Sequence, residues 1–308
     1  MRPDEIRDLF DCELREHARP DGPGVRVERA GPVIRQVGGP DDWNGVVWSE
    51  PGLGAAGAGA AITAQIAYWE GLGHPEFEWK LYSHDDPADL GERLRAAGFA
   101  AEPPETLLAA PVEALTALPG AEPPEGVELR PVTDAAGVEL MALAHERAFG
   151  TDAGRLRHQV LTRLERTPEH TVALVALAGG EPVSSARMEL YPGTGFCGLW
   201  GGGTVAAWRG RGLYRALVAH RARIAAERGY RFLQVDASAM SAPILVRLGF
   251  SVLGTTTPYV YRRSRWPPAS RTERLVTPIV LLMRAHEMTS ERNCWHWVPC
   301  QVSRSAIR

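Results

Sequence analysis

The alternation of apolar and polar positions breaks once without periodicity, at LPGAEPPEG (118–126), a Pro/Gly/Glu cluster that reads as a domain boundary. Before it, Ile6, Leu9, Phe10 and Leu14 fall at helical spacing within 5–18. VRVER (25–29), PVIRQV (32–37) and NGVVWS (44–49) predict strands, AITAQIAYWEGL (61–72) a helix, FEWKLY (77–82) a strand and ADLGERLRAAG (88–98) a helix. After it, GVELRPV (126–132) alternates like a strand. Thr133 or Asp134 can cap a helix that runs to Phe149 and stops at Gly150, and a second helix covers 154–166. TVALVAL (171–177) and VSSARMELY (183–191) form a hairpin around AGGEP, and FCGLWGGGTV (196–205) is the next strand. A helix from Leu213 to Arg228, a strand RFLQVDA (231–237), a short helix over 241–249 and two strands, 250–254 and 258–263, complete the second half.

The two halves repeat one another. In each, a tryptophan-bearing strand leads to a Gly-rich loop, a helix, an apolar strand and a short helix ending in Gly-Phe (Gly98-Phe99 and Gly249-Phe250). The pattern predicts two copies of one α/β unit, the first more worn than the second.

Composition narrows the class. With 308 residues, 44% hydrophobic and 23% charged, the chain has material for two globular domains and is neither collagen-like nor disordered throughout. Four dispersed cysteines (Cys12, Cys197, Cys294 and Cys300) imply no disulfide framework. The opening MRPDEIRDLF lacks an apolar stretch, and the runs at 52–62 and 275–283 fall short of the ~20 residues a membrane span needs, so a cytoplasmic, membrane-free protein is expected. Charge is uneven: residues 1–120 carry a net −11, residues 121–263 a net +4, and 264–308 another +4. That is too weak a basic balance for nucleic-acid binding, but it suits either a protein that attracts a cation with one half and an anion with the other or a solvated surface with uneven charge. Lys80 is the only lysine among 34 basic residues, as codon usage in a GC-rich genome would produce.

The segment Arg209-Gly210-Arg211-Gly212-Leu213-Tyr214, between a strand and a basic helix, carries the strongest chemical signal. Its glycines let successive N–H groups turn into one concavity. The helix adds the partial positive charge of its N-terminus, and the arginines add phosphate-binding forks, so the segment reads as a pyrophosphate seat. It resembles the acyl-CoA motif of the GNAT superfamily of N-acyltransferases, Q/R-x-x-G-x-G/A. The order of elements over 126–263 and the ending SAPILVRLGF resemble that family too, while 1–117 is similar only weakly.

The resemblance implies an α/β fold of two GNAT-like modules, each a mostly antiparallel sheet with a splayed central strand pair flanked by helices. It divides the chain into a degenerate domain at 1–117, a linker at 118–125, the transferase domain at 126–263 and an extension at 264–308. It further implies that acetyl-CoA is the co-substrate, with the amides of Gly210, Arg211, Gly212, Leu213, Tyr214 and Arg215 on its pyrophosphate, to which the charges of Arg209 and Arg211 would add. Gly202, Gly203 and Thr204 would pair with the pantetheine arm, and the amide near Thr204 would polarise the thioester carbonyl. Two departures stand out: Tyr214 replaces the last small residue of the motif, and Leu245 occupies the place where family members often carry a tyrosine acid. The strand 196–205 also lacks an acid to serve as the base.

Substitutes come from the residues themselves. Asp236 ends the strand beside the splay and could take a proton, or serve as a strand-end hydrogen-bond partner. Tyr214 could donate to the departing thiolate or only pack. Ser241 could bond the sulfur or cap its helix. Glu189 on the hairpin could hold an amine or face solvent, while His145 lies on the first helix, where the resemblance implies acceptor-site residues, or is structural. Gly52-Leu53-Gly54-Ala55-Ala56-Gly57 matches a dinucleotide fingerprint, but reads better as the arginine-free, worn counterpart of the phosphate loop. In 264–308, the stretch 274–288 could form an amphipathic helix, and Cys294, His296 and Cys300 lack common zinc spacing, so no metal and a loosely docked extension are expected. The resulting expectation is an N-acetyltransferase acting on a small primary amine, as a monomer or homodimer. A non-catalytic CoA- or partner-binding protein, an O-acyltransferase and a thioester hydrolase are the alternatives.

Overall fold

The computed structural model describes residues 1–263 apart from Pro23 and Asp41; the features of 264–308 named above lie outside the described residues. Helix α1 (Pro3–Phe10) runs on into a π-helical turn, Asp11–Glu16, before three strands, β1 (Arg26–Ala30), β2 (Val33–Val37) and β3 (Gly45–Ser49). Then come α2 (Gly54–Leu72), β4 (Glu76–Tyr82), α3 (Leu90–Ala96), β5 (Ala100–Ala101), β6 (Glu105–Pro111) and α4 (Val112–Thr116). The second half contains β7 (Val127–Pro131), α5 (Ala135–Phe149), α6 (Gly154–Arg166), β8 (Thr171–Ala178), β9 (Glu181–Leu190) and β10 (Phe196–Thr204). It closes with α7 (Leu213–Glu227), β11 (Phe232–Ala237), α8 (Ala242–Arg247) and β12 (Ser251–Arg262).

Local chemistry explains most of these limits. The Asp134 carboxylate accepts the Gly137 amide at 2.8 Å to start α5, and Gly150 ends it in the left-handed region. The GLGAAGAG segment departs from expectation: from Gly54 onward it is the first turns of α2, because its alanines favour the helix enough to carry the glycines between them. β8 is buried along most of its length, which explains its continuous apolar run. Val172, Leu174 and Ala176 face the layer of α7, α8 and α4, while Ala173, Val175 and Leu177 face α5 and α6.

The strands form one mixed sheet in the order β1-β2-β3-β4-β12-β6-β11-β10-β9-β8-β7, with β5 beside β12. Each half contains a parallel pair that soon separates: β3 with β4 over residues 45–46, and β10 with β11 over residues 196–198. The repeat in the sequence is therefore a repeat of this splayed pair. The halves also exchange their last strands. β6 lies between β11 and β12, and β12, a single strand where two were expected, runs on past β6 to pair with β4. A register shift between Val252 and Gly254 lets β12 make both sets of pairings. The linker at 118–125 thus separates the halves along the chain, while residues 1–263 form one compact unit.

Candidate active site

In the second half, β10 and β11 part after Gly198 and leave an open wedge between residues 199–204 and 235–237. On the far side of β10 the pairing to β9 also shifts, between Trp200 and Gly203. The chain leaves β10 through a short turn at Ala206–Trp208 and enters α7 through the glycine loop. Gly210 and Gly212 have φ of 74° and 85°, which side chains resist, so the loop curls as the sequence requires. No side chain caps α7, and the first N–H groups of a helix have no partner within it. Uncapped amides at a helix N-terminus are the kind of group that can seat an anion.

The arginines of the loop divide their work. Arg209 donates to the Thr204 carbonyl and the Ala148 carbonyl, each at 3.0 Å, so it ties the loop to β10 and α5 instead of lying open to a ligand. Arg211 is exposed and stacks its guanidinium 4.7 Å from the Trp208 ring centre. Arg215 reaches back to the Pro119 carbonyl at 3.2 Å. Gly202 lies against the Tyr214 ring, and Gly203 lies beneath Phe149, whose Cε2 is 2.5 Å from where a Cβ would stand. Ser184 donates to the Gly203 carbonyl at 2.7 Å and bonds the Thr204 hydroxyl at 2.8 Å, which fixes the strand end.

The tip of the wedge is polar. A Cβ on Gly198 would collide with the Tyr191 hydroxyl and stand 2.7 Å from Trp200 Nε1, so only glycine fits. Trp200 Nε1 donates to that hydroxyl at 3.2 Å, and Gln234 bonds it through its side chain. Side chains alternate along a strand, so residues two apart share a face. Phe232, Leu107 and Tyr82 pack together with α1, and the same face therefore carries Gln234 and Asp236, Glu105, and Lys80 and Glu78. Lys80 Nζ pairs with Asp236 Oδ2, although β12 and β6 separate their strands. Asp236 Oδ1 and Gln234 Oε1 are buried without a hydrogen-bond partner.

Burial governs the charges here. It holds the Glu78 and Glu105 carboxyls above their ordinary range, with nearby Asp236 adding to the effect and Lys80 opposing it. The carboxylates around Lys80, Asp236 first, outweigh its burial and hold the ammonium well above its ordinary range, so it stays charged. Burial also drives the Cys197 thiol, in the core behind β10, up to about 12, which leaves it inert as a nucleophile.

The other expected residues lie as follows. Glu189 is neither solvent-facing nor open to an amine: it is buried and meets Arg187 at 3.2 Å and Arg163 at 3.5 Å, which satisfy its charge. His145 packs 4.7 Å from Phe149, above Gly203; burial lowers its pKa, and its Nδ1 has no partner. Tyr214 is partly buried, with its hydroxyl pKa raised by that burial. Ser241 makes no side-chain cap to α8; its hydroxyl donates to the Ser238 carbonyl at 3.3 Å. Leu245 is fully buried in the core, so its place offers no acid.

The first half has the same wedge but not the same opening. Arg15, 3% exposed, donates to the Val47 carbonyl at 3.1 Å on parting β3, and its other nitrogens bond Asp85 and Asp11. Its guanidinium, 4.0 Å from the Tyr82 ring centre, fills the gap between β3 and β4. Before α2, Gly52 and Gly54 repeat the positive φ of the second-half loop, at 79° and 58°, but Leu53 stands between them where the other loop has Arg211. Lys80, Gln234 and Glu105 carried no motif. The one available signal was that Lys80 is the sole lysine of the chain.

Comparison with known proteins bears on this arrangement. Residues 138–250 match the family model of the acetyltransferase (GNAT) family. No curated protein matches. Among solved structures, the chain is similar to a GCN5-related N-acetyltransferase from Kribbella flavida, at 22% identity and TM-score 0.60, over 84% of this chain and 95% of that one. It is also similar to a functionally unknown conserved protein from Staphylococcus epidermidis, at 13% identity and TM-score 0.60, over 83% and 99% of the two chains. A tandem GNAT protein from the clavulanic acid biosynthesis pathway aligns at 14% identity and TM-score 0.54, over 84% and 94%. At these identities the structural likeness establishes the fold. Among the described residues, no helix is long and apolar enough to cross a membrane.

Proposed function

We propose that this chain, a GNAT-superfamily protein through its domain at 138–250, transfers an acetyl group from acetyl-CoA to a primary amine. One observation carries the reading: the wedge between β10 and β11 has free helix amides at its mouth and unpartnered acceptor oxygens at its tip. The amides of residues 210–215 would hold the pyrophosphate. The edge of β10 at Gly202, Gly203 and Thr204 would bind the pantetheine arm, bringing the thioester to the tip. An amine between Gln234 Oε1 and Asp236 Oδ1 would give its N–H groups to oxygens that now lack donors.

Lys80 pairs with Asp236 Oδ2, and the Asp236 carboxylate is the group placed to accept a proton as the nitrogen becomes positive. The nitrogen attacks the thioester carbonyl carbon, the C–S bond breaks, and the proton lost by nitrogen leaves through Asp236 to water. The thiolate departs as coenzyme A thiol, with Tyr214 the available hydroxyl. Positioning supplies much of such a rate, so a strong acid at the Leu245 place is not required. That buried leucine does favour a second reading, a CoA-binding protein without turnover.

Purified full-length protein with acetyl-CoA and a panel of amines separates the two by thiol release and product mass. The transfer reading expects thiol release that depends on the amine, with an N-acetylated product, at a rate that rises with pH until the amine is neutral. Acetyl-CoA binding with no amine-dependent thiol release would favour the second reading. An acetylated hydroxyl, or thiol release without an acceptor, would identify an O-acyltransferase or a thioester hydrolase.

A further inference from the structure

The polar face beside the wedge holds more negative charge than its own cation can balance. Asp236, Glu105 and Glu78 are presented by three strands, and among the described residues Lys80 is the cation that acts on both glutamates, while Arg262 on the same face is taken up by Glu76 and Glu102. Lys80 is committed to Asp236 Oδ2. Trp43 Nε1 donates to Glu78 at 2.9 Å, which satisfies one oxygen without neutralising its charge.

The groups differ in depth. Gln234 is 5% exposed and the Asp236 side chain 5% exposed, each with an orphaned oxygen. Glu78 and Glu105 are only half-buried, nearer to solvent. A ligand entering along this face therefore meets two carboxylates first and two unpartnered acceptors further in.

We propose that Glu78 and Glu105 form a cation subsite, contributed by the first half of the chain, that selects acceptors carrying a second positive charge besides the reacting amine. The ligand class is a compact diamine, either a flexible aliphatic chain or an amino sugar ring. Its inner nitrogen takes the place between Gln234 Oε1 and Asp236 Oδ1, and its outer ammonium replaces the missing counter-charge at Glu78 and Glu105. The identity of the inner nitrogen as the reacting one rests on the acyl-transfer reading; the binding does not.

The test is therefore a titration of amines into the full chain without acetyl-CoA. Putrescine and deoxystreptamine are the two diamine probes, with butylamine as the singly charged control. At least one diamine should bind tenfold or more tighter than butylamine, and Glu78→Gln with Glu105→Gln should abolish that preference. The better probe assigns the flexible or the ring source. Equal affinities in the wild type, a preference that survives the double substitution, or binding by none of the three would overturn the subsite. A parallel titration of acetyl-CoA keeps the failures apart: loss of that binding counts against the transfer reading and leaves the amine comparison intact.

Discussion

Replacing Lys80 by methionine removes the cation of the buried polar face while nearly conserving side-chain volume. Lys80 is 18% exposed and its partner Asp236 5% exposed, so the pair is far from the surface regime in which ion pairs contribute about 0–1 kcal/mol. Removing one member of a buried pair typically costs about 3–5 kcal/mol, because the other charge stays buried alone. Partial access of water to Lys80 puts the expected loss near the lower bound, about 3 kcal/mol. For a unit of this size that is roughly 6–12 °C in midpoint temperature. The loss should also depend on pH. Without the ammonium, the Glu78 and Glu105 carboxyls, already held above their ordinary range, are raised further. Stability is then fully present below the unfolded carboxylate range and lost as pH rises through the folded values. The gap to the wild type should therefore shrink from about pH 8 toward pH 4. The double variant Lys80→Met, Asp236→Leu should recover at least half of it. Thermal unfolding of the three proteins across that range decides the matter. A loss below about 1 kcal/mol, or a gap that ignores pH, would refute the idea that the buried Lys80–Asp236 pair stabilises this face.

Three further outcomes follow from the same geometry. Gly198→Ala drives a Cβ into the Tyr191 hydroxyl and should cost about 1–3 kcal/mol in denaturant unfolding, with thiol release lost because the wedge tip is deformed. Glu78→Gln removes a carboxyl held above its ordinary 4.5, whose stability contribution fades as pH rises through its folded value. That variant should be relatively more stable at neutral than at acidic pH, as read by midpoint temperature. Asp134→Ala deletes the cap of α5 and should cost about 1 kcal/mol without altering acetyl-CoA affinity.

The sequence was most readable where structure is local. The α5 cap, the apolar run of β8 and the glycine loop before α7 depend on residues a few positions apart, and their limits lie within a residue or two of expectation. β6 was missed because ETLLAAP shows no alternation: it is central, with Leu107 to Ala110 buried on both faces, and carries no β-branched residue there. The continuity of β12 was hidden by its register shift and by Pro258, both of which look like breaks in one dimension. At the site, the glycine loop before α7 was visible because its signal is backbone conformation. The pairing of Lys80 with Asp236 was not, because it arises from strand exchange between halves, and no spacing along the chain encodes that. The sole lysine, read as codon usage, sits where a compact ammonium is buried against a carboxylate.

The central claim is that the wedge beside the α7 loop seats the phosphates of acetyl-CoA. Isothermal titration of acetyl-CoA into the wild type and into Arg209→Ala, Arg211→Ala tests it most directly. One substitution frees the loop from Thr204 and Ala148, and the other removes its exposed charge. The account predicts micromolar binding that the double change weakens tenfold or more, about 1.4 kcal/mol. Absence of binding by the wild type, or equal affinity in the variant, would contradict it.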